Sequence, residues 1–161
     1  MGCRREPCLT GFAKASRRAA LSISVGPMRT PGSPLATSAS ALVAEANAVV
    51  PPISIEEAAA LLDDESVLFV DIREPKELER EGMIPGAFKA PRGMLEFWVD
   101  PASPYYRADL DSGRRLVLYC GSAWRSALAA EVLHRMGYAD VTHIDGGFSG
   151  WKKAGHPTVM P

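Results

Sequence analysis

Apolar residues fall along the second two thirds of the chain in short blocks, separated by segments with a helical period. Leu116 to Tyr119 are four successive apolar residues, the signature of a buried strand. Beyond Cys120 and a run of small residues, Leu128, Ala129, Val132, Leu133 and Met136 recur at helical spacing from Ala127 onward, and Gly137 stops them. Val67 to Asp71 predicts a second strand, Phe88 to Ala90 a third and Val141 to Ile144 a last one. Between them, Ser54 with Glu57 forms a capping box for a helix from Ile55 to about Leu62. Pro75 to Glu81 reads as a charged helix with Leu78 as its buried contact, and Phe148 to Ala154 as a final helix with Trp151 in the core. Strands alternating with helices predict an α/β fold, with a parallel sheet of about five strands covered on both faces.

Residues 93 to 113 carry the weakest pattern. Met94 to Val99 predicts a short helix offering Leu95, Phe97 and Trp98, followed by an irregular stretch with Pro101, Pro104, Tyr105 and Tyr106. Two readings stand: a satellite of the core under a long connection, or a lid beside a functional loop. Arg92, just after a strand, is a secondary candidate for substrate contact.

Charge divides the chain where periodicity does. Residues 1–50 carry six basic and two acidic side chains, a balance of +4, whereas residues 51–161 carry twelve and seventeen, a balance of −5. The first fifty residues, rich in Arg, Ser, Ala, Gly and Pro, are expected to be a disordered extension, with one domain over 51–161 starting at Pro51-Pro52. Met1-Gly2-Cys3 lacks the Ser or Thr an acylation motif needs, having Glu6 instead. Ser16-Arg17-Arg18 with Ala39-Ser40-Ala41 resembles an export signal interrupted by prolines, and the Arg- and Ser-rich composition also fits an organelle transit peptide. The net charge of −1 gives no reason to expect nucleic acid or a membrane as partner, and no run of 18 apolar residues exists.

Of three cysteines only Cys120 lies in the patterned region, which argues against a disulfide framework and for a reducing compartment such as the cytoplasm. His134, His143 and His156 are scattered without ligand spacing and are expected to be structural or exposed; no metal site is expected.

Chemistry concentrates at Cys120. It stands at the carboxyl end of a strand, and a loop of small residues leads from it into a helix. In open α/β sheets that edge is where ligands sit. Backbone N–H groups and the positive end of a helix dipole favour an anion there, so the Cys120 thiolate is the expected nucleophile. Arg125 adds a permanent charge and a fork suited to an oxyanion.

Several motifs in fixed order resemble the rhodanese-like sulfurtransferases: Asp71-Ile72-Arg73-Glu74, Ile84-Pro85-Gly86-Ala87, Tyr119-Cys120 with Arg125-Ser126, Gly137-Tyr138, Asp145-Gly146-Gly147, Trp151 and Gly155-His156-Pro157. The resemblance runs from about Ile53 to the last residue. It implies a three-layer sandwich in which Cys120 carries a persulfide, with Gly121, Ser122, Ala123, Trp124, Arg125 and Ser126 around the transferred sulfur. It implies a small-molecule sulfur donor, a thiol, cyanide or protein acceptor, and no cofactor, since the cysteine itself carries the transferred atom. Asp71 and Arg73 are expected to brace neighbouring loops.

One residue departs from the family pattern: the third position after the cysteine is usually glycine, and here it is Ala123. A positive φ at that position would strain the alanine. Four residues separate Cys120 from Arg125. Cysteine-dependent phosphatases resemble this arrangement but carry five, a wider cradle for a phosphoryl group, so the count favours sulfur transfer. Cys120-Gly121-Ser122 resembles the start of mercaptopyruvate-using loops, Arg125 looks more like thiosulfate-type members, and Trp124 offers an apolar wall for an organic persulfide. Thiosulfate is the first donor to consider; the alternative to an enzyme is a non-catalytic binding module that has kept the fold.

Overall fold

The computed structural model describes residues 28–161, which fall into two units, one ending at Pro34 and one spanning Leu35–Pro161. In the first, residues 30–33 make a turn closed by the Ser33 amide donating to the Thr30 carbonyl at 3.1 Å. Cys3, Cys8 and most of the targeting signals read in the sequence lie outside the described residues.

Four parallel strands form one sheet in the order β2-β1-β3-β4, with β1 Val67–Asp71, β2 Phe88–Lys89, β3 Arg115–Tyr119 and β4 Val141–His143. Register is set at the centre, where Asp71 faces Tyr119, so β1 and β3 end side by side. About five strands are expected and four form; outside them Ile53 makes an isolated bridge to Ile144 and Met83 one to Val159, and the segment around Ile53 does not extend its bridge into a strand. The reason is local. Pro51 and Pro52 have no amide hydrogen to give to a ladder, and Ser54 already caps the next helix, which leaves Ile53 alone to pair.

Alternation along the two central strands builds two cores. Leu68, Val70, Leu116 and Leu118 face one side, with Leu95, Val99, Leu110, Ala129, Ala130 and Leu133. Val67, Phe69, Val117 and Tyr119 face the other, with Ala58, Leu78, Phe148 and Trp151. Helices α4 (Leu95–Val99) and α5 (Trp124–Arg135) therefore cover one face, and α2 (Ile55–Ala60), α3 (Pro75–Glu81) and α6 (Gly147–Lys153) the other. This is the expected α/β sandwich. The capping box of α2 is present, with the Glu57 amide donating to Ser54 Oγ and the Ser54 amide donating to Glu57 Oε2. Leu95 and Val99 are buried in the core, so the 93–113 connection forms a satellite of it.

Part of the expected N-terminal extension is helical. Helix α1 spans Ala39–Val49, capped by Ser38, and sets Val43 and Ala46 against Ala127 of α5. Its Asn47 Oδ1 lies 3.0 Å from Nε2 of the buried His143. The segment ASALVAEANAV is nearly all small residues, so it has high helix propensity but a faint amphipathic period, and its composition blends into the tail before it. Packing on α5 is what makes it a helix worth forming. No helix among the described residues is long and apolar enough to cross a membrane.

Candidate active site

The buried strand β3 delivers Cys120 to the carboxyl edge of the sheet, where the residue is 1% exposed. The loop that follows is short, because α5 begins at Trp124, three residues earlier than the apolar period alone predicts. Trp124, Arg125 and Ser126 thus belong to the first turn of a twelve-residue helix that begins four residues after Cys120. The turn is made at Ala123, which sits at φ 71° and ψ −17°, the left-handed region. It is the one non-glycine residue with positive φ among the described residues, so the strain anticipated from its replacing glycine is present.

No hydrogen bond among the described residues uses the amides of Gly121 to Ser126, the first one of α5 running from the Ala127 amide to the Ala123 carbonyl at 2.9 Å. Those N–H groups, with the helix dipole behind them, are what the chain offers an anion at Cys120. The loop's carbonyls are committed elsewhere. Cys120 O accepts from the Phe148 amide at 2.7 Å and Gly121 O from the Ser149 amide at 3.0 Å, so the first turn of α6 holds the loop from behind. That approach needs Gly147: a Cβ there would stand 2.5 Å from Cys120 O, 2.8 Å from Ala123 N and 3.0 Å from Gly121 O. The Asp145-Gly146-Gly147 motif is legible in the sequence; the need for a bare α-carbon at its last position is not.

Two side chains of the loop have defined partners. Ser126 is buried, and its Oγ donates to Ala123 O at 3.0 Å while lying 3.7 Å from Cys120 Sγ. Arg125 turns its fork to Glu77 of α3, with Nη1–Oε2 and Nη2–Oε1 both 2.8 Å. The hydrogen bonds from Arg125 draw the Glu77 carboxyl down to about 2, against the opposing effect of partial burial. The same carboxylate raises Arg125 above its ordinary range, against the opposing effect of partial burial. Glu77 was read only as part of a solvated helix face. Its partner is 48 residues away in the chain, so no local pattern could find it. Of the remaining loop residues, Ser122 is exposed and Trp124 presents its ring to solvent at 53% exposure.

The neighbouring strand ends are braced as expected. Buried Arg73 pairs with Asp71 at 2.7 Å, donates to the Gly82 carbonyl at 2.7 Å and lies 4.0 Å over the Phe148 ring. Arg92, in the turn after β2, pairs with Glu96 in the first turn of α4. Of the histidines, His143 is buried, His134 is exposed, and His156 packs on Trp151 with ring centroids 4.7 Å apart. No group of three or more ligating side chains suited to a metal occurs among the described residues.

Among the described residues one thiol is buried at the carboxyl edge of the parallel sheet, and the three-residue loop after it opens a helix, the arrangement at which open α/β sheets place ligands. Residues 54–154 match the family model described as "Rhodanese-like domain", and the chain belongs to the rhodanese-like sulfurtransferase family. A sulfurtransferase of Allochromatium vinosum is 37% identical over 101 residues, covering 63% of this chain and 86% of that protein. Thiosulfate sulfurtransferase GlpE of Shewanella oneidensis is 33% identical over 102 residues, 63% of this chain and 92% of its own. Among solved structures, a Rhodopseudomonas palustris protein of unknown function, described as a possible tyrosine phosphatase, is 41% identical with a TM-score of 0.76. The match covers 83% of this chain and all of that one.

Proposed function

We propose that the protein transfers a sulfane sulfur through a persulfide on Cys120. The thiolate attacks the outer sulfur of thiosulfate or a similar donor; the S–S bond of the donor breaks, its electron pair leaves with sulfite, and Cys120 retains one extra sulfur. The persulfide's negative charge falls among the loop amides of Gly121, Ser122, Ala123, Trp124, Arg125 and Ser126. A nucleophilic acceptor (cyanide in an assay, a small thiol or a protein thiol in the cell) then takes that sulfur and restores the thiolate. This is double displacement, and parallel initial-rate lines are expected. No organic cofactor or metal enters the scheme, and a free thiol of this kind suits a reducing compartment such as the cytoplasm.

The observation that carries the reading is the pairing of a buried thiol with backbone amides that have no other partner, in a chain of this family. Intact mass after thiosulfate, then after cyanide, is the test. A gain of one sulfur on the wild type and not on Cys120→Ser, removed by cyanide, is the expected result. No gain from thiosulfate, mercaptopyruvate or an organic persulfide would leave the non-catalytic binding module in its place.

A phosphatase reading has the description of the Rhodopseudomonas relative in its favour. The four residues between Cys120 and Arg125, and an arginine already engaged by Glu77, weigh against it. Hydrolysis of a small aryl phosphate, lost in Cys120→Ser, would reverse that preference.

A further inference from the structure

Three arginines follow strands at the carboxyl edge of the sheet, and each is met by a carboxylate: Arg73 by Asp71, Arg92 by Glu96, and Arg125 by Glu77. Arg125 is the only charged side chain in the loop from Cys120 to Ser126, and both its terminal nitrogens end on Glu77. The pair lies against the loop itself. A Cβ placed on Gly121 would be 3.5 Å from Arg125 Nη2 and 4.0 Å from Glu77 Oε1. With its carboxyl drawn down to about 2, Glu77 is ionised at any working pH. Apart from the Cys120 thiolate itself, the side-chain charge around the loop is therefore close to zero, and an anion entering it meets that thiolate and the amide dipoles with no uncompensated cation beside them. Amide dipoles suit one delocalised charge. A second charge on the donor must sit beside a carboxylate that already offsets the guanidinium.

We propose that Glu77 is a positioning residue that sets the charge of the donor: by holding Arg125 in a neutral pair, it makes the Cys120 cradle favour singly charged sulfane-sulfur donors over doubly charged ones. The proposal rests on the sulfur-transfer reading above and names its substrate class. Thiosulfate and the methanethiosulfonate anion form a suitable pair of probes, since both present a terminal sulfur on a sulfonyl sulfur. They differ in a methyl group standing where thiosulfate has a charged oxygen. Attack by Cys120 breaks the S–S bond in both, and the electron pair leaves with sulfite from one and methanesulfinate from the other.

Glu77→Gln keeps an oxygen to accept from Arg125 and removes the charge. Relative to methanethiosulfonate, kcat/KM for thiosulfate is expected to rise about tenfold in this variant at low ionic strength, mostly through KM, and the gain to shrink as salt is added. Glu77→Asp, which keeps the charge, is expected to retain the wild-type ratio. An unchanged ratio in Glu77→Gln, or an equal fall with both donors, would overturn the proposal and leave Glu77 a structural partner only. So would the same change of ratio in Glu77→Asp. If the wild type acquires no sulfur from either donor, the sulfur-transfer reading itself fails. If it acquires sulfur from both and the ratio does not respond to Glu77, only the present proposal does.

Discussion

Replacing Gly147 by alanine adds one methyl group at the point where α6 meets the Cys120 loop. Two penalties combine. Gly147 has φ 58°, where an L-residue carries about 1–2 kcal/mol of steric strain. The new Cβ would also stand 2.5 Å from Cys120 O and 2.8 Å from Ala123 N, both backbone atoms that cannot rotate aside. Relief requires the loop or the α6 turn to move, at the expense of the hydrogen bonds from Phe148 and Ser149 to the loop carbonyls, worth about 1 kcal/mol each. A total near 3 kcal/mol follows, or about 10 °C in Tm for a domain of this size.

Gly113→Ala is the matched control, because Gly113 has φ 76° with no atom within 4 Å of a Cβ, so it should show the strain alone. Urea unfolding followed by tryptophan fluorescence measures the stability of both, and the rate of Cys120 alkylation by iodoacetamide reports the loop. Gly147→Ala should lose about 2 kcal/mol more than Gly113→Ala and change the alkylation rate, while the control leaves that rate alone. Equal losses with unchanged alkylation in both would refute the idea that the bare α-carbon of Gly147 positions the loop.

Ala123→Gly should be neutral or stabilising within about 1 kcal/mol, since relief of left-handed strain offsets the flexibility of glycine and the lost methyl contact. Ala130→Gly, buried in the middle of α5, should by contrast cost about 1–2 kcal/mol in the same urea assay. Burial lowers the pKa of His143 from its ordinary 6.5, so the folded state binds its proton less readily than the unfolded chain. Its contribution to stability is full above that value and is lost as pH falls through 6.5 toward the lowered folded value. The urea midpoint should therefore decline between pH 7.5 and 5.5, and decline less in His143→Gln; an identical slope in the variant would place the titrating group elsewhere.

Local signals in the chain were sufficient for most elements. Strands with continuous apolar runs, the Ser54 capping box and Gly137 after α5 each act through neighbours a few residues away, and each appears where it was read. The position of Cys120 was legible for the same reason: a cysteine between a buried strand and a helix start has its place dictated by adjacent residues. Ala123 is the sharpest case, because its left-handed conformation is required by a turn that its own sequence disfavours.

Only the tertiary structure decided the rest, because it depends on residues brought together from far along the chain. Helix α1 is written in small residues with little period and becomes ordered through the face of α5 it meets. Ile53 adds one bridge beside β4 and no further strand, since the two prolines before it and the cap after it leave nothing more to pair. Glu77 and Gly147 read as a surface charge and a turn glycine until the sheet sets α3 and α6 beside the Cys120 loop. There one engages the charge of Arg125 and the other lets two amides hold the loop in place. The composition and order of the elements reside in the sequence; the charge and shape of the cradle arise from packing, which couples positions that no local pattern relates.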